Sequence, residues 1–307
     1  MARIFIDGSA GTTGLRIRQR LLERSDIELI TLPEEMRKDE HARQDALNRA
    51  EVAFLCLPDA AAVEAAAMIE NDRTAVIDTS TAHRTAPGWV YGFPEVNGLR
   101  EQSRQSKRIA NPGCHASGFI ALVAPLVRAG LLDAGAQLSC FSLTDYSGGG
   151  KKMIAEYEGT GRNPLLNAPR QYDLSQRHKH LSEMAAIAGL SAPPCFCPIV
   201  ADYYSGMEVS VPLFASQLKG TPAQIREIYR ETYSGPVVRY VESPDEGGFL
   251  SAAALSGSDG MEISVSGSDE RILLSARYDN LGKGASGAAI QNLNLLLGAN
   301  ETEGLVL

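Results

Sequence analysis

The segment RIFIDGSAGTTGLRIRQRLL, residues 3–22, decides the fold class of this chain. Its first residues are mostly apolar and strand-like, and residues 14–22 repeat apolar side chains at helical spacing. Gly8, Gly11 and Gly14 lie between these two elements. A turn of this kind lets the backbone approach a pyrophosphate, which binds at the helix N-terminus. The segment therefore predicts the first strand and helix of a dinucleotide-binding sheet.

The turn and the end of the next strand together suggest the cofactor. The spacing G-x-x-G-x-x-G is less common than G-x-G-x-x-G, so a plain tight turn remains the alternative. Thr31 ends the predicted second strand, where an NAD-specific domain usually has an acidic residue. Arg37 and Lys38 follow and can meet a 2′-phosphate, although each alone also fits an exposed loop. NADP is favoured, and the candidate ligands in the turn are Gly8, Ser9, Ala10, Gly11, Thr12, Thr13 and Gly14.

Strands and helices alternate through the first half of the chain. Apolar runs predict strands at residues 27–32, 52–57 and 75–78, with helices at 42–48 and 60–69 between them. Because such units connect by right-handed crossovers, they predict a parallel sheet.

Longer strands of alternating character begin near residue 136. One helix is predicted at 222–233, and a last helix at 287–297. The predicted fold is α/β, with a Rossmann-type doubly wound parallel sheet and an α+β domain that has a mixed or antiparallel sheet. The strands of the second sheet are predicted at 138–144, 206–213, 237–241, 261–266 and 272–278.

Composition narrows the partners and the compartment. The 307 residues are enough for two domains, and 44% hydrophobic with 21% charged residues is ordinary for a soluble chain. With 29 basic and 37 acidic residues, the net charge of -8 argues against nucleic acid or a membrane as main partner. We find no membrane-spanning run and expect no signal peptide. Five cysteines, an odd number, fit the reducing cytoplasm.

The tetrapeptide NPGC, residues 111–114, places Cys114 where a helix should begin. Pro112 and Gly113 interrupt regular structure, and residues 115–124 are typical of a buried helix. Unpaired N–H groups and the helix dipole favour the thiolate at this position, so Cys114 is a candidate nucleophile. A small core cysteine is the alternative.

The segment HKHLSE, residues 178–183, offers a proton-transfer partner for that cysteine. His180 and Glu183 share one face if the helix already includes His180, whereas His115 points about 100° away from Cys114. Solvated histidines are one alternative. Another is a zinc site built from the His178/His180 pair and the cysteine pair 195/197. A helix after His180 would split the histidine pair, so we predict no metal.

Two further segments carry candidate anion ligands. Arg84 follows the predicted strand 75–78, and its planar fork suits a carboxylate or phosphate. A surface salt bridge is the alternative. Residues 146–152, YSGGGKK, are predicted to form a flexible glycine loop suited to an anionic substrate, although a plain connecting loop explains them equally well.

Six motifs in order carry a family resemblance. The chain resembles the short form (type 2) of the N-acetyl-gamma-glutamyl-phosphate reductases, in the glyceraldehyde-3-phosphate/aspartate-semialdehyde dehydrogenase-like superfamily. It departs from the usual pattern of the longer form at His115, where that form has Tyr, and at Ser182, where it has Pro. The motifs are GSAGTTG (8–14), DTSTAHR (78–84), VYGFPE (90–95), NPGC (111–114), HKHLSE (178–183) and GKGASGAAIQN (282–292).

The resemblance implies an enzyme of arginine biosynthesis. It would reduce N-acetyl-L-glutamyl 5-phosphate with NADPH to N-acetyl-L-glutamate 5-semialdehyde and phosphate, through a thioester on Cys114. His180 would activate the thiol and protonate the thiohemiacetal oxygen, although His178 remains open for that role. Residues 1–113 and 287–307 would form the dinucleotide-binding domain, and residues 114–286 the catalytic and oligomerisation domain.

The resemblance also implies further contacts and an assembly. Arg84, Glu183 and Ser147 would bind substrate, and a homodimer or homotetramer in the cytoplasm is expected. Two other functions remain open: aspartate-semialdehyde dehydrogenase or a related acyl-phosphate reductase, and a non-catalytic NADP-binding regulatory protein. The cofactor ligands beyond the glycine turn would be Arg37, Ser80, Asn280 and Asn292.

Overall fold

A computed structural model describes residues 1–244 and 246–307. These residues form two compact units. Unit 1 comprises Met1–Pro94, Gly98–Pro112 and Ala285–Leu305. Unit 2 comprises Glu95–Asn97, Gly113–Gly284 and Val306–Leu307.

Unit 1 contains a six-stranded parallel sheet in the order β2-β1-β3-β4-β6-β5. The strand order reverses beside β1, so the glycine turn that follows β1 opens at the switch point of the sheet. The strands are β1 (Ala2–Asp7), β2 (Ile27–Ile30), β3 (Val52–Leu55), β4 (Ala75–Asp78), β5 (Val90–Tyr91) and β6 (Arg108–Ala110). The helices are α1 (Thr12–Leu22), α2 (Glu40–Arg49), α3 (Asp59–Ala67), α4 (Leu99–Gln105) and α9 (Gly287–Leu297).

Helices cover both faces of this sheet, which makes it doubly wound. On one face Ile17 of α1 and Ile290 of α9 pack in a cluster with strand residues such as Phe54. On the other face Leu47 of α2 and Ala62 of α3 pack in a second cluster. The predicted fold class is therefore confirmed for this half of the chain. The strand 75–78 has the predicted bounds, whereas the elements at 90–91, 99–105 and 108–110 were not predicted.

Unit 2 contains a seven-stranded mixed sheet in the order β11-β12-β13-β10-β7-β9-β8. Strand pairs β7–β9 and β11–β12 are parallel and the other pairs are antiparallel, as the prediction of a mixed sheet requires. The strands are β7 (Ser139–Thr144), β8 (Arg170–Gln171), β9 (Cys195–Val200), β10 (Met207–Phe214), β11 (Val238–Tyr240), β12 (Met261–Gly267) and β13 (Arg271–Tyr278). The helices are α5 (Cys114–Arg128), α6 (Gly150–Glu158), α7 (Leu181–Ala188) and α8 (Pro222–Thr232).

Helix α5 is the centre of unit 2, and residues 115–126 of it are buried. Pro125 has no N–H to donate to the carbonyl oxygen of Ala121, one turn earlier. The hydroxyl of Tyr233 donates to that oxygen instead, at 2.6 Å, and Tyr229 donates to the carbonyl oxygen of Leu122. Because the phenol of Tyr233 supplies the missing donor, the helix continues through its proline and stays buried.

The prediction of a flexible loop at residues 146–152 is wrong. Ser147–Gly149 form a 3₁₀ turn, and Gly150 begins α6 with φ +71°. Residues 151–158 are mostly strong helix formers, and Tyr157 buries its ring on the inner face of α6. The glycines therefore mark a turn into a helix rather than a mobile connection.

Candidate active site

The three glycines of the turn after β1 have different roles in unit 1. Gly8 has φ +85°, and a Cβ there would collide with the carbonyl oxygen of Cys56. A Cβ on Gly14 would lie 2.6 Å from the carbonyl oxygen of Gly8. A Cβ on Gly11 would meet only that oxygen, at 3.6 Å, which is ordinary contact. Packing requires glycine at the first and last positions, whereas the middle one leaves open space in front of α1.

A cavity of about 590 Å³ lies beside this turn and the end of β2. Gly8, Ser9 and Ala10 form part of its wall, and Arg18, Arg37, Lys38 and Arg43 supply positive charge. Arg43 is neutralised by the buried carboxylate of Asp7 at 2.9 Å. Arg37 pairs with Glu34 at 2.8 Å, but both side chains are largely exposed, so this pair is weak. The cavity therefore presents exposed cations to a ligand beside a helix N-terminus.

Ser80 and Arg84 follow β4 in unit 1 and are held by buried groups. The carboxylate of Asp78 accepts hydrogen bonds from the backbone N–H and the hydroxyl of Ser80, at 2.9 and 2.7 Å. It also lies 2.6 Å from Nδ1 of His83, whose ring stacks on Trp89. Arg84 donates from Nε to the carbonyl oxygen of Asn111, at 3.0 Å. The loop after β4 is thus rigid, and its arginine is buried.

The two asparagines expected among the cofactor ligands belong to different units. Asn292 in α9 is fully buried and donates to the carbonyl oxygen of Gly92, at 2.9 Å. Asn280 lies in unit 2, where it donates to Ser147 Oγ at 3.1 Å and accepts from the N–H of Gly206 at 3.2 Å. The side-chain amide of Asn280 therefore helps to hold the turn at Ser147.

Cys114 begins α5, and two contacts fix its position in unit 2. Gly113, at the N-cap, has an extended backbone and no side chain to cap the helix. The hydroxyl of Tyr278 donates to the carbonyl oxygen of Cys114 at 2.6 Å. A Cβ on Gly284 would lie 3.1 Å from Cβ of Cys114, so the backbone of Gly284 packs closely on this side chain. The thiol is partly exposed at a helix N-terminus.

Glu183 joins the start of α5 to the start of α7. Its Oε2 accepts a hydrogen bond from the N–H of Gly113 at 3.1 Å. Its Oε1 lies 3.9 Å from Nε2 of His180, which is the N-cap residue of α7. Glu183 and His180 are only 1% and 4% exposed. Glu183 therefore links His180 to Gly113, the residue directly before Cys114.

Two more histidines lie next to His180. The backbone N–H of His180 donates to Nδ1 of His178 at 3.2 Å, and their rings are 4.6 Å apart. His115 contacts Ser142 Oγ through Nδ1 and the Tyr172 hydroxyl through Nε2, both at 2.7 Å. Burial, followed by the charges of His178 and Lys179, lowers the pKa of His115 to about 3. His115 is therefore neutral at pH 7, with both nitrogens engaged.

The structure does not bring the four residues of the zinc alternative together. The ring of His178 packs on Phe196 of β9, at 5.1 Å between ring centroids. Successive side chains of a strand point to opposite faces, so Cys195 and Cys197 lie on the other face of β9 from Phe196. Within residues 1–244 and 246–307 no group of three or more His, Cys, Asp or Glu side chains has the geometry of a metal site.

Asp145 is a site residue that the sequence reasoning missed. Its Oδ1 accepts hydrogen bonds from the N–H of Ser147 at 2.6 Å, from the Ser147 hydroxyl and from the N–H of Gly148 at 3.2 Å. Burial raises the pKa of Asp145 to about 7 although these donors act to lower it. An aspartate two residues before a serine is a signal of such a turn. Asp145 thus fixes the segment that carries Ser147.

Comparison with known proteins identifies the family. N-acetyl-gamma-glutamyl-phosphate reductase of Brucella ovis is 45% identical over 306 residues, which cover 96% of this chain and 99% of that protein. The enzyme of the same name from Brucella melitensis biotype 2 matches to the same extent. The chain belongs to this reductase family. Family models of semialdehyde dehydrogenases also match: the NAD binding domain at residues 30–106 and the dimerisation domain at 114–280.

Solved structures show that the family fold is shared more widely. Aspartate semialdehyde dehydrogenase II of Vibrio cholerae, complexed with ASA, has a TM-score of 0.74 at 17% identity, covering 97% of this chain and 98% of that one. Aspartate semialdehyde dehydrogenase with NADP from Candida albicans has a TM-score of 0.66 at 16% identity, covering 97% and 99%. In the described part of the chain, no helix is both long enough and apolar enough to cross a bilayer.

The buried carboxyl of Asp145 predicts a pH-dependent stability. Because its pKa is raised from 3.8 to about 7, the folded state binds the proton more tightly than the unfolded state. The stability that the protonated Asp145 carboxyl contributes to the folded state is fully present below pH 3.8 and is lost as the pH rises through 7. The Asp145→Asn variant keeps the acceptor oxygen and cannot ionise. We expect the free energy of unfolding of this variant, relative to that of the wild type, to rise by up to about 4 kcal/mol between pH 4 and pH 8.

Urea unfolding of both proteins at pH 4.5, 6 and 8 measures this difference. The control is Asp133→Asn, at an exposed aspartate whose pKa is lowered by its hydrogen bond to Lys219. That variant should not gain stability on the wild type as the pH rises. If the free energies of unfolding of wild type and Asp145→Asn depend on pH in the same way, ionisation of Asp145 does not destabilise the folded protein, and the prediction is wrong.

Proposed function

We propose that this chain reduces N-acetyl-L-glutamyl 5-phosphate with NADPH to N-acetyl-L-glutamate 5-semialdehyde and phosphate, a step of arginine biosynthesis. The observation that carries the proposal is the buried carboxylate of Glu183, which links His180 to Gly113, the residue directly before Cys114. It places an imidazole and an orienting carboxylate beside the helix N-terminus that carries the thiol, which suits an activated nucleophile. The relatives at 45% identity bear the name of this activity.

Cys114 is the proposed nucleophile. Its thiolate attacks the acyl carbon, the bond from that carbon to the phosphate oxygen breaks, and a thioester forms on the sulfur. His180 accepts the thiol proton and, as imidazolium, returns it to the oxygen of the thiohemiacetal formed by reduction. Glu183 holds the imidazole toward the start of α5 and stabilises its charged form. The hydroxyl proton then passes back to the neutral His180 as the carbon–sulfur bond breaks, which expels the Cys114 thiolate and releases the aldehyde.

Unit 1 fits a bound NADPH. The open space at Gly11, the N-terminus of α1 and the neighbouring cavity with its cations suit a dinucleotide phosphate. When bound, NADPH supplies the hydride that reduces the thioester carbon. We infer that residues 1–113 and 287–307 form the dinucleotide-binding domain and residues 114–286 the catalytic domain. The proposed ligands remain the glycine turn from Gly8 to Gly14, Arg37, Ser80, Asn280 and Asn292.

Substrate contacts and assembly complete the proposal. Arg84 would bind the substrate carboxylate, and Ser147 and Glu183 would contact the acyl chain. The exposed face of the mixed sheet carries Phe141 and Phe214, which are 40% and 63% exposed. This face supports a homodimer or homotetramer, in keeping with the dimerisation-domain match. The cytoplasm remains the expected compartment.

Replacement of the nucleophile separates binding from chemistry. In Cys114→Ser the oxygen is a far poorer nucleophile at neutral pH, so kcat should fall by on the order of 10³ or more. Fold and NADPH affinity should be retained. The measurement is phosphate-dependent NADP reduction with N-acetylglutamate semialdehyde, beside fluorescence titration with NADPH. Near-wild-type turnover would exclude the thioester route, and preference for aspartate semialdehyde in the wild type would move the substrate assignment to aspartate-semialdehyde dehydrogenase.

The two neighbouring histidines can be told apart by pH–rate profiles. His180→Asn should lower kcat by about 10²–10⁴ and remove one limb of the profile, because it removes the proton acceptor. His178→Asn is the matched control, since His178 lies in the same segment and its ring adjoins that of His180. Loss of the limb in the control, with the limb intact in His180→Asn, would assign the proton transfer to His178.

Arg37 should discriminate between NADPH and NADH. A guanidinium that meets the 2′-phosphate gains a charge-assisted hydrogen bond worth about 1.5–3 kcal/mol. Arg37→Ala should therefore raise the KM for NADPH by about 10-fold or more and leave the KM for NADH unchanged. Arg49→Ala is the control, because Arg49 is an exposed arginine of the same unit that pairs with Asp45 in α2. Equal changes for both cofactors would exclude a 2′-phosphate contact.

A further inference from the structure

The hydroxyl of Tyr278 contacts two backbone groups at the start of α5, the helix that begins at Cys114. Its oxygen accepts a hydrogen bond from the N–H of Gly118 at 3.0 Å, and its proton is donated to the carbonyl oxygen of Cys114 at 2.6 Å. Because Cys114 and Gly118 are four residues apart, these are also the two groups that pair with each other in an α-helix. One phenol therefore holds both partners of the turn that begins at the thiol residue.

The directions of these two hydrogen bonds follow from the groups themselves. An amide N–H only donates and a carbonyl oxygen only accepts, so the phenol accepts from Gly118 and donates to Cys114. Tyr278 is 0% exposed, and burial, followed by the charge of Cys114, raises the pKa of its hydroxyl. The phenol therefore keeps its proton at neutral pH, and the donor to the Cys114 carbonyl is always present.

The ring of Tyr278 is fixed by the mixed sheet. Tyr278 is the last residue of β13, where it lies opposite Met207 of β10 on one side and Met261 of β12 on the other. A buried strand in the interior of a sheet opens less readily than the elements at its edge. The hydroxyl of Tyr278 is thus a fixed point to which the start of α5 is attached.

Gly118 leaves room for this hydroxyl. A Cβ on Gly118 would lie 2.7 Å from the oxygen of Tyr278 and 2.7 Å from Cγ2 of Val209 in β10, both much closer than atoms in contact. Glycine destabilises a helix relative to alanine, so its presence inside α5 requires a reason. The reason is the close approach of the helix to the sheet, which brings the backbone of α5 within reach of the phenol.

The peptide groups on both sides of the Cys114 Cα are held by hydrogen bonds. The carbonyl oxygen of Gly113 accepts from the N–H and from the hydroxyl of Ser117, at 2.9 and 3.0 Å. The carbonyl oxygen of Cys114 accepts from Tyr278. Two fixed peptide groups define φ and ψ of the residue between them. Because the backbone of Gly284 also packs on its Cβ, the sulfur has fewer staggered positions open to it.

We propose that Tyr278 is a positioning residue for the nucleophile: its hydroxyl attaches the carbonyl of Cys114 to the mixed sheet and so sets the place from which the thiol attacks. The inference rests on the proposed role of Cys114. The hydrogen bonds from Ser117 come from α5 itself and move with the helix, whereas the one from Tyr278 comes from another element. Since a misplacement of about 1 Å can cost about 10²-fold in rate, this attachment contributes to kcat without contact to substrate or cofactor.

Tyr278→Phe tests this role, because it removes the hydroxyl and keeps the buried ring. In phosphate-dependent NADP reduction with N-acetylglutamate semialdehyde, kcat should fall by about 10-fold or more. The KM for the aldehyde and the affinity for NADPH, measured by fluorescence titration, should stay within about twofold of the wild-type values, because only the reacting geometry changes. NADPH binding also establishes that the variant is folded.

Tyr229→Phe is the matched control. Tyr229 is also fully buried, and its hydroxyl donates to the carbonyl oxygen of Leu122, in the same helix but eight residues after Cys114. Both variants lose a hydrogen bond from a phenol to a carbonyl oxygen of α5, so their midpoints of urea unfolding should fall to a similar extent. Only Tyr278→Phe should lose kcat, which separates positioning of the thiol from general stability of the helix.

Hydrogen exchange measures the effect on the backbone without reference to activity. In Tyr278→Phe, peptides that cover residues 113–118 should exchange about 2- to 10-fold faster than in the wild type, as expected for the loss of one neutral hydrogen bond. Tyr229→Phe should leave the exchange of this segment unchanged. The comparison is made by peptide mass spectrometry on the three proteins under the same conditions.

Failure of this role and failure of the proposed function give different results. An unchanged kcat in Tyr278→Phe, or equal losses of kcat in the two phenylalanine variants, overturns the positioning role and leaves the proposed function standing. A fall in kcat without faster exchange at residues 113–118 overturns the route through the Cys114 carbonyl. Full turnover in Cys114→Ser overturns the proposed function and the role of Tyr278 with it.

Discussion

The rest of the active site depends on the carboxylate of Glu183. A buried charge is stable only where hydrogen bonds and opposite charges replace its water. Here one oxygen accepts from the N–H of Gly113 and the other faces His180. The first contact satisfies a backbone donor at the start of α5, where no side chain caps the helix. One carboxylate thus places the start of α5, which carries Cys114, and the imidazole of His180 relative to each other, across 66 residues of sequence.

That arrangement requires a rigid helix behind the thiol. Helix α5 is buried along almost its whole length and contains Pro125, which removes one internal hydrogen bond. The phenols of Tyr229 and Tyr233 donate to the carbonyl oxygens that lie at this turn. Since a buried carbonyl without a donor is costly, Tyr233 is what allows an apolar helix with a proline to form the centre of unit 2.

Local patterns predict elements well and long-range contacts poorly in this chain. Apolar periodicity predicted most strands of both sheets but missed β5, β6, β8 and β9, which are short or lie among loops. The strand 75–78 has the predicted bounds. The glycines at 148–150 led to a wrong prediction. Three consecutive glycines indicate a flexible loop, but here they lead into α6, which is held in place because Tyr157 is buried. Asp145 was missed because its pKa depends on burial by distant segments. The zinc alternative failed because strand alternation places Phe196, not the cysteines, toward the histidines.

The glycine turn shows why a motif and a site are different things. In the sequence Gly8, Gly11 and Gly14 are equivalent members of one pattern. In unit 1 the first and last are required by the protein's own backbone, because a side chain there would strike Cys56 or Gly8. Gly11 meets no such obstacle, so folding alone does not explain why it lacks a side chain. The space in front of α1 at this residue is therefore the part of the motif that a ligand, rather than the fold, accounts for.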